Sequence, residues 1–594
     1  MYEYFSPPNH GTSDAYSDLT DGDEYKKVRS GSGKYDFSLF WNTDGVKVFK
    51  SSTSSLWPLH CVIPELPPRL RKKFQLLTLL WCGSKPDVNT FLRPFCLEVK
   101  KLALQGLRWT HPVTGRQLIS RIFAPVTSVD AVAKALLQNI RQFNGLHGCS
   151  LCEAPGKTCQ RNGSSRSWIY VPGTHALRTG SGMKQQAVQA VNSQTVVQGV
   201  KGPSVLSLIP RFDLASSFVI DYMHCVLLGV VKMLMATWFD SKYHAEPWYL
   251  GRQLKTIDER LLAIQPPDFI TRTPRSVRHR MYWKASEFRA WLLFYSIPVL
   301  SGILPLAHLQ HFVLLVSAIH MLLKQSVRRH EIDLAETFLS RFVEESASLY
   351  GPQFLTFNMH QLTHLGLSAR RWGPLWATSA FLFEDRNGEL VRVIQGTRAI
   401  DKQLATLVGI GNALNSIERR MDKGSTAFSV LNRIRNVHFP KQTTDGSVKL
   451  HGRPCQANRK IASFLSTQSM FDNALIYKRA TIGCVTFTSS IYENQKLRNN
   501  RTVRCTTENG ICYAFIECFV KNSMEVYAVL NEFFIDDSET IVHESMDYSL
   551  SQFIPVYSAD NQLVIVPLPQ TELHKCIFVL DYIVSTPNLF EMNL

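Results

Sequence analysis

Three carboxylates in this chain stand where separate elements could deliver them to one point. Asp44 lies in Asn42-Thr43-Asp44-Gly45 at the close of an alternating run, Asp130 closes a second such run, and Glu384 follows a long, mostly helix-like interruption. Acids so placed can hold two Mg²⁺ or Mn²⁺ ions about 3.5–4 Å apart, which activate a nucleophile and stabilise the leaving oxygen of a phosphodiester. The chemistry is that of a nuclease or strand transferase.

A second set of residues has the spacing of a structural metal site. Cys149-Ser150-Leu151-Cys152 is a Cys-x-x-Cys knuckle able to grip one Zn²⁺ through two thiolates. His360 and His364, four apart, share a helix face and can supply the other two ligands. Such a Cys₂His₂ site would return Glu384, about twenty residues further on, to the neighbourhood of Asp44 and Asp130. Cys159 and His175 are rival ligands, and a reduced cysteine pair with two core histidines is the plainer reading. Asp221 and His224 put a carboxylate and an imidazole on one helix face. A capping Asp beside a core His explains them most simply; the functional alternative places them next to the acids, on DNA or a water.

Arg272, Arg275, Arg278, His279, Arg280 and Lys284, next to Tyr282 and Trp283, have the composition of a phosphate-tracking surface with stacking aromatics, or of a solvated charged face. Arg69, Arg71, Lys72 and Lys73 form a shorter cluster that could steer DNA or serve as a nuclear-localisation signal. Trp372 and Trp376 fit core positions better than base stacking.

The elements that must position these groups are legible in outline. Residues 1–35, rich in Ser, Asp, Gly and Tyr, read as an irregular leader. Phe37 to Trp41 alternates, Val46 to Phe49 returns as in a hairpin, and Leu56–Val62 is a third strand. Pro67-Pro68 open a short basic helix, Phe74–Trp81 reads as a strand, Asn89–Leu104 as a helix, Gln117–Val126 as a strand and Ala131–Phe143 as a helix. The succession suggests an α/β fold with an RNase H-like mixed sheet. Its first part would span 36–145, followed by a zinc-knuckle and mainly helical insertion over 146–355, loop-rich to about 210. Residues 356–400 would complete the core with the third acid. A helical linker over 401–470 and a small β domain over 471–594, with a turn at Asn509-Gly510, would end the chain.

Composition narrows the partners. The 594 residues are 45% hydrophobic and carry 65 Lys and Arg against 48 Asp and Glu, a formal net charge of +17 that favours a polyanion such as DNA. Thirteen cysteines are too sparse for a disulfide scaffold, and no secretory signal pattern follows Met1, so a reducing intracellular compartment fits. The most apolar stretch, 291–323, is broken by Pro298, Pro305, His308, Gln310 and His311, which argues against a membrane span.

Taken in order, these strings resemble the transposases of the CACTA (En/Spm) group of cut-and-paste DNA transposons and their host-derived relatives, over roughly residues 20–400. The carriers are Asn42-Thr43-Asp44-Gly45 with Trp57-Pro58, Asp130-Ala131-Val132-Ala133 leading to Phe143-Asn144-Gly145 and the cysteine knuckle, and Asp221-Tyr222-Met223-His224. Trp283 to Glu287, Asn358-Met359-His360, Trp372 to Trp376 and Phe383-Glu384 follow. The resemblance implies a DDE nuclease with Asp44, Asp130 and Glu384 as its acids, two Mg²⁺ or Mn²⁺ ions, DNA ends and target as substrates, and action in the nucleus, possible as a homo-oligomer. The order of second acid, cysteine pair, histidine pair and third acid is also similar to the antigen-receptor recombinase core, which favours the zinc assignment. Two departures stand out. Val132 replaces the proline of a frequent Asp-Ala-Pro string. The leader is also too short for the upstream DNA-recognition region usual in the family, so the alternative is a silent, transposase-derived DNA or chromatin binder, or one guided by an accessory protein.

Overall fold

In the computed structural model the alternating run after Tyr35 is strand β1 (Phe37–Thr43), buried along its whole length. Burial on both faces marks it as a central strand. β2 (Ser55–Val62) lies antiparallel to it, Phe40 opposite Val62 and Thr43 opposite Leu59, and β3 (Leu76–Gly83) lies antiparallel on β2. The helix α1 (Val88–Gln105) then carries the chain to β4 (Ile122–Thr127), which runs parallel to β1. Beyond β4 a fifth extended segment joins the sheet by one parallel bridge, Thr127 with Phe218. Thr127 N–H donates to Ser217 O at 2.9 Å and Val219 N–H to Thr127 O at 3.1 Å. The structure describes residues 14–49, 55–160, 166–396, 398–422, 424–436, 448–471, 473–483, 485–492, 497–507, 510–522, 525–536, 542–543 and 548–588.

The core explains the order. Phe91, Leu92, Phe95, Cys96 and Val99 of α1 recur at helical spacing and pack with Trp41, Leu59, Ala124 and Phe218 from the sheet. Asp87 caps the helix by accepting from Thr90 N–H, and Gly106, at φ +73°, ends it. A Cβ at Gly106 would stand 2.4 Å from Ile119 Cγ2, so glycine is required for the close turn.

The chain falls into two units, Met1–Trp238 with Pro305–Ala405 and Pro587–Leu594, and Phe239–Leu304 with Thr406–Thr586. In the first, after α2 (Ala131–Leu137), the helical part includes Met223–Val231, Leu306–Leu322, Arg329–Tyr350, α3 (Phe357–Leu362) and α4 (Phe381–Arg392). In the second, an eight-stranded sheet is built on Thr502–Thr507, Gly510–Lys521, Val526–Ile535 and Phe553–Leu568, all antiparallel neighbours. No helix among the described residues is long and apolar enough to cross a membrane.

Several expectations need correcting. Residues 146–355 are not one insertion, because 239–304 belongs with the β unit. The Pro266-Pro267 punctuation is where it is tied down: Asn499 N–H donates to Pro266 O at 3.2 Å, Asp268 N–H to Asn500 Oδ1 at 2.9 Å, and Lys575 Nζ to Asp268 Oδ1 at 2.6 Å. The loop-rich stretch before 210 contains the helix Gly180–Ser193, capped by Thr179. Residues 1–13 of the leader lie outside the described residues; residues 14–35 carry regular elements. Ala15–Tyr16 pairs with Val327–Arg328, and the helix Asp23–Arg29 buries Tyr25, whose hydroxyl donates to Glu65 at 2.6 Å. Val46–Lys47 pairs with the start of β2 and not with β1. Gln117–Val126 is two strands, of which Gln117–Ser120 pairs with Leu107–Thr110. The helix after Asp130 stops at Leu137, not Phe143. The 401–470 linker is helical over Ile400–Arg420 and Thr426–Asn436, then supplies a strand, Val448–His451, to the β unit. Asn509 lies outside the described residues; the hairpin is there, with Thr507 opposite Gly510.

Candidate functional site

Each acid sits where an element ends or begins. Asp44 directly follows β1 and its Oδ1 accepts from Gly45 N–H at 2.6 Å; a Cβ at Gly45 would meet the Trp57 ring at 2.7 Å. Asp130 caps α2, accepting from Ala133 N–H at 2.6 Å. Glu384 is in the first turn of α4. Ligand atoms of Asp44, Glu384 and His224 all lie within 4.8 Å of one another. Asp130 is outside that group, although its negative charge acts on all three.

The electrostatics are those of crowded, half-dry acids. Burial, then the charges of Asp130 and Glu384, push Asp44 up to about 7. Burial also raises Glu384, reinforced by Asp221 and Asp130 and opposed by His224. For His224 burial favours the neutral ring, but the hydrogen bond and charge of Asp221, with Glu384 and Asp130, prevail and raise it to about 9. Nδ1–H of the imidazolium therefore donates to Asp221 Oδ2, at 2.6 Å.

Asp221, which sequence spacing explains most simply as a cap, does more than cap. Its Oδ2 also accepts from His224 N–H at 3.1 Å, while Oδ1 accepts from Ala380 N–H at 2.9 Å, just before α4. One buried carboxylate thus aims His224 and holds the start of the helix bearing Glu384. A second tie escaped sequence reasoning. His60 on β2 pairs with Asn387 at 3.0 Å, both buried, one turn beyond Glu384 on the same helix. Phe40 of β1 meets Phe383 edge-on at 5.1 Å, and Lys72 pairs with Asp385 at 2.6 Å. The i, i+3 relation of Asn387 to Glu384 was the available signal; nothing in the sequence marks His60 as its partner.

The second cluster unites both predicted pairs. Ligand atoms of Cys149, Cys152, His360 and His364 lie within 4.8 Å of one another, with Cys152 Sγ 3.3 Å from His360 Nε2 and His360 Nε2 3.3 Å from His364 Nε2. Cys159 and His175 are not in the group. Although burial opposes ionisation, hydrogen bonds from Cys152, His360 and His364 hold the Cys149 thiol well below its usual range; donating to that thiolate raises Cys152. Gln361 Nε2 donates to Cys149 Sγ at 3.2 Å, and Tyr170 stacks on His360 at 5.1 Å. Buried Arg178 gathers the carbonyls of Cys149, His147 and Gln198 at 2.8–3.0 Å and so shapes the knuckle. Gln361, Tyr170 and Arg178 carry no sequence signal.

The basic run, in the β unit, is divided. Arg275 forks onto Glu287 at 2.5 and 2.7 Å, and Arg280 donates to Phe239 O at 3.2 Å, so both serve the fold. Arg272, Arg278, Lys284 and Tyr282 are exposed, whereas Trp283 is buried. In the other unit Arg71, from the shorter cluster, is buried on Asp18 and the Leu66 carbonyl. Trp372 and Trp376 are core residues, with Nε1–H donated to Ser216 O at 2.7 Å and Lys324 O at 3.2 Å. In comparisons with known proteins, no family description matches the chain and no curated protein shows significant similarity.

Proposed function

We propose that the chain is a transposase-type DNA nuclease and strand transferase, built on an RNase H-like core with Asp44, Asp130 and Glu384 as its acids. The observation that carries the reading is the meeting of Asp44 and Glu384, with His224, within 4.8 Å, from positions so far apart in the sequence. The sheet supports it: three antiparallel strands, then a fourth parallel to the first and a fifth extended segment beside the fourth. The acids follow β1 and β4 and open a late helix, as that fold would require.

Oxygen-rich donors suit Mg²⁺ or Mn²⁺, which when bound would activate the attacking oxygen and stabilise the leaving one. The chain's own part is to hold Asp44 and Glu384 at one point, with Asp221 fixing the ring of His224. The Cys₂His₂ donors suit one structural Zn²⁺. A tetrahedron with zinc bonds of ~2.0–2.3 Å has ligand–ligand edges of roughly 3.3–3.8 Å, and the 3.3 Å contacts among Cys152, His360 and His364 match it. The substrate would be DNA in the nucleus, met as an oligomer or beside a separate DNA-recognition protein.

The test is incubation of the purified chain with Mg²⁺ or Mn²⁺ and DNA bearing terminal inverted repeats. Metal-dependent nicking that Asp44→Ala and Glu384→Ala each abolish is expected; nicking that persists in both variants rejects the assignment. One observation favours a second reading, a silent DNA or chromatin binder: Asp130 spends an oxygen on Ala133 N–H and lies outside the 4.8 Å group. Salt-sensitive binding without nicking by the unaltered chain would select it.

A further inference from the structure

Resting on the reading of Asp44 and Glu384 as the acids of a cutting centre, we propose that Asp18, in the leader, is a positioning residue that sets their spacing through Arg71. Arg71 belongs to the basic cluster whose sequence suggests DNA steering or a nuclear-localisation signal, but the fold uses it otherwise. Its Nη1 donates to Asp18 Oδ1 at 2.8 Å and its Nη2 to Asp18 Oδ2, a fork in which both side chains are largely out of solvent. Nε donates to Leu66 O at 3.0 Å, and Nη2 also to Pro64 O. A planar guanidinium that meets two carboxylate oxygens and two carbonyls fixes all four in direction as well as distance.

Two routes lead from the fork to the acids. The first starts at Glu65, between the two carbonyls held by Arg71. Its Oε1 accepts from Ser38 N–H at 2.8 Å, from the Ser38 hydroxyl at 3.0 Å and from the Tyr25 hydroxyl of the leader helix at 2.6 Å. Ser38 is on β1, the strand that Asp44 follows. The second route runs through backbone packed too closely for side chains. A Cβ at Gly373, where φ is +82°, would stand 2.2 Å from Asp18 O, and one at Gly22 would stand 2.3 Å from Arg371 O. The turn Arg371-Trp372-Gly373 leads towards α4, and Lys72, next to Arg71, pairs at 2.6 Å with Asp385, the neighbour of Glu384.

The leader is anchored before the fork as well. Ala15–Tyr16 pairs with Val327–Arg328, and Arg329 Nη2 donates to the Tyr16 hydroxyl at 2.7 Å. Asp18 is thus held at a fixed place between the segment that leads to Asp44 and the one that leads to Glu384. A buried ion pair adds little net stability over apolar residues of the same size, so stability alone gives no reason for the fork. What it supplies is geometry, and the acids that meet within 4.8 Å are the groups at which that geometry matters.

The experiment follows Mn²⁺ binding by electron paramagnetic resonance, together with melting and DNA nicking, in the full chain and three variants. Asp18→Asn keeps the shape and the hydrogen bond from Leu19 N–H, Arg71→Lys keeps the charge without the fork, and Asp18→Asn combined with Arg71→Met leaves no buried cation unpaired. The double variant should melt close to the unaltered chain. In all three, Mn²⁺ affinity and the nicking rate should each fall by about tenfold or more, with affinity for paired DNA kept. Unchanged Mn²⁺ affinity and rate in Asp18→Asn and Arg71→Lys overturn the positioning role. Recovery of both in the double variant, along with its melting temperature, shows that the fork acts only through stability and overturns it too, as does loss of the fold in all three. Mn²⁺ binding that survives Asp44→Ala and Glu384→Ala rejects the reading of the acids itself.

Discussion

At the scale of single residues, Asp44 is crowded in a way that costs stability. Its carboxyl is held at about 7 by burial and by the charges of Asp130 and Glu384, whereas in the unfolded chain it titrates near its ordinary value of 3.8. The folded state therefore retains a proton that the unfolded state gives up. The stabilising difference is fully present below the unfolded value and is lost as pH rises through about 7. At one pKa unit per about 1.4 kcal/mol, the loss is on the order of 4 kcal/mol. Asp44→Asn removes the ionisation, so in Mg²⁺-free buffer it should melt higher than the unaltered chain at pH 8 and at about the same temperature near pH 4. An identical pH dependence of melting in both proteins would show that Asp44 is not crowded as described. Stabilising the fold while ending the chemistry is the pattern expected of an acid kept for function.

At the scale of elements, α4 carries Glu384, and the polar tie that joins it to the sheet is the His60–Asn387 contact at 3.0 Å, beside the packing of Phe40 on Phe383. Asn387→Ala leaves a buried imidazole nitrogen without its partner, at a cost of about 1–3 kcal/mol. Small displacements of a catalytic group cost rate steeply, so nicking should fall by about tenfold or more while affinity for paired DNA is kept. A folded Asn387→Ala protein that nicks at the normal rate would remove the contact from the positioning machinery. The same contact marks where sequence reading ran out. Strands β1 to β4 and helices α1 and α2 announced themselves through alternation, helical spacing and capping, and so did the acids at their ends. The three-residue segment at Phe218 is too short to carry a period. The tie of 239–304 to the β unit and the ordering of residues after Asp14 depend on contacts between distant positions, such as Tyr25 with Glu65. The short-range pairings, Cys149 with Cys152, His360 with His364 and Asp221 with His224, were legible; that Asp221 also holds the start of α4 and that Gln361 lies on Cys149 were not.

At the scale of the whole molecule, the sheet-bearing unit is closed by a link that joins positions 208 apart in sequence, Cys152 and His360. A metal bound there constrains a very long loop, and structural zinc binding in small domains is worth about 10–16 kcal/mol of apparent free energy. Much of that is spent on bringing ligands together that tertiary packing has already assembled here: Tyr170 on His360, and Arg178 under the knuckle. The metal's contribution should therefore be large and short of all-or-none. Stripping zinc with a chelator should lower the melting transition of the unit holding Cys149 and His360 by about 10 °C or more, a few kcal/mol on the scale of a domain of this size, and leave that of the β unit in place. Cys149→Ser and His360→Ala should each lose the bound zinc in metal analysis and reproduce the shift without chelator. Unchanged zinc content in both variants would reject the ligand set. Zinc lost without any shift in melting would mean that packing alone returns Glu384 to Asp44, with Asp221 and Asn387 as the groups that do it.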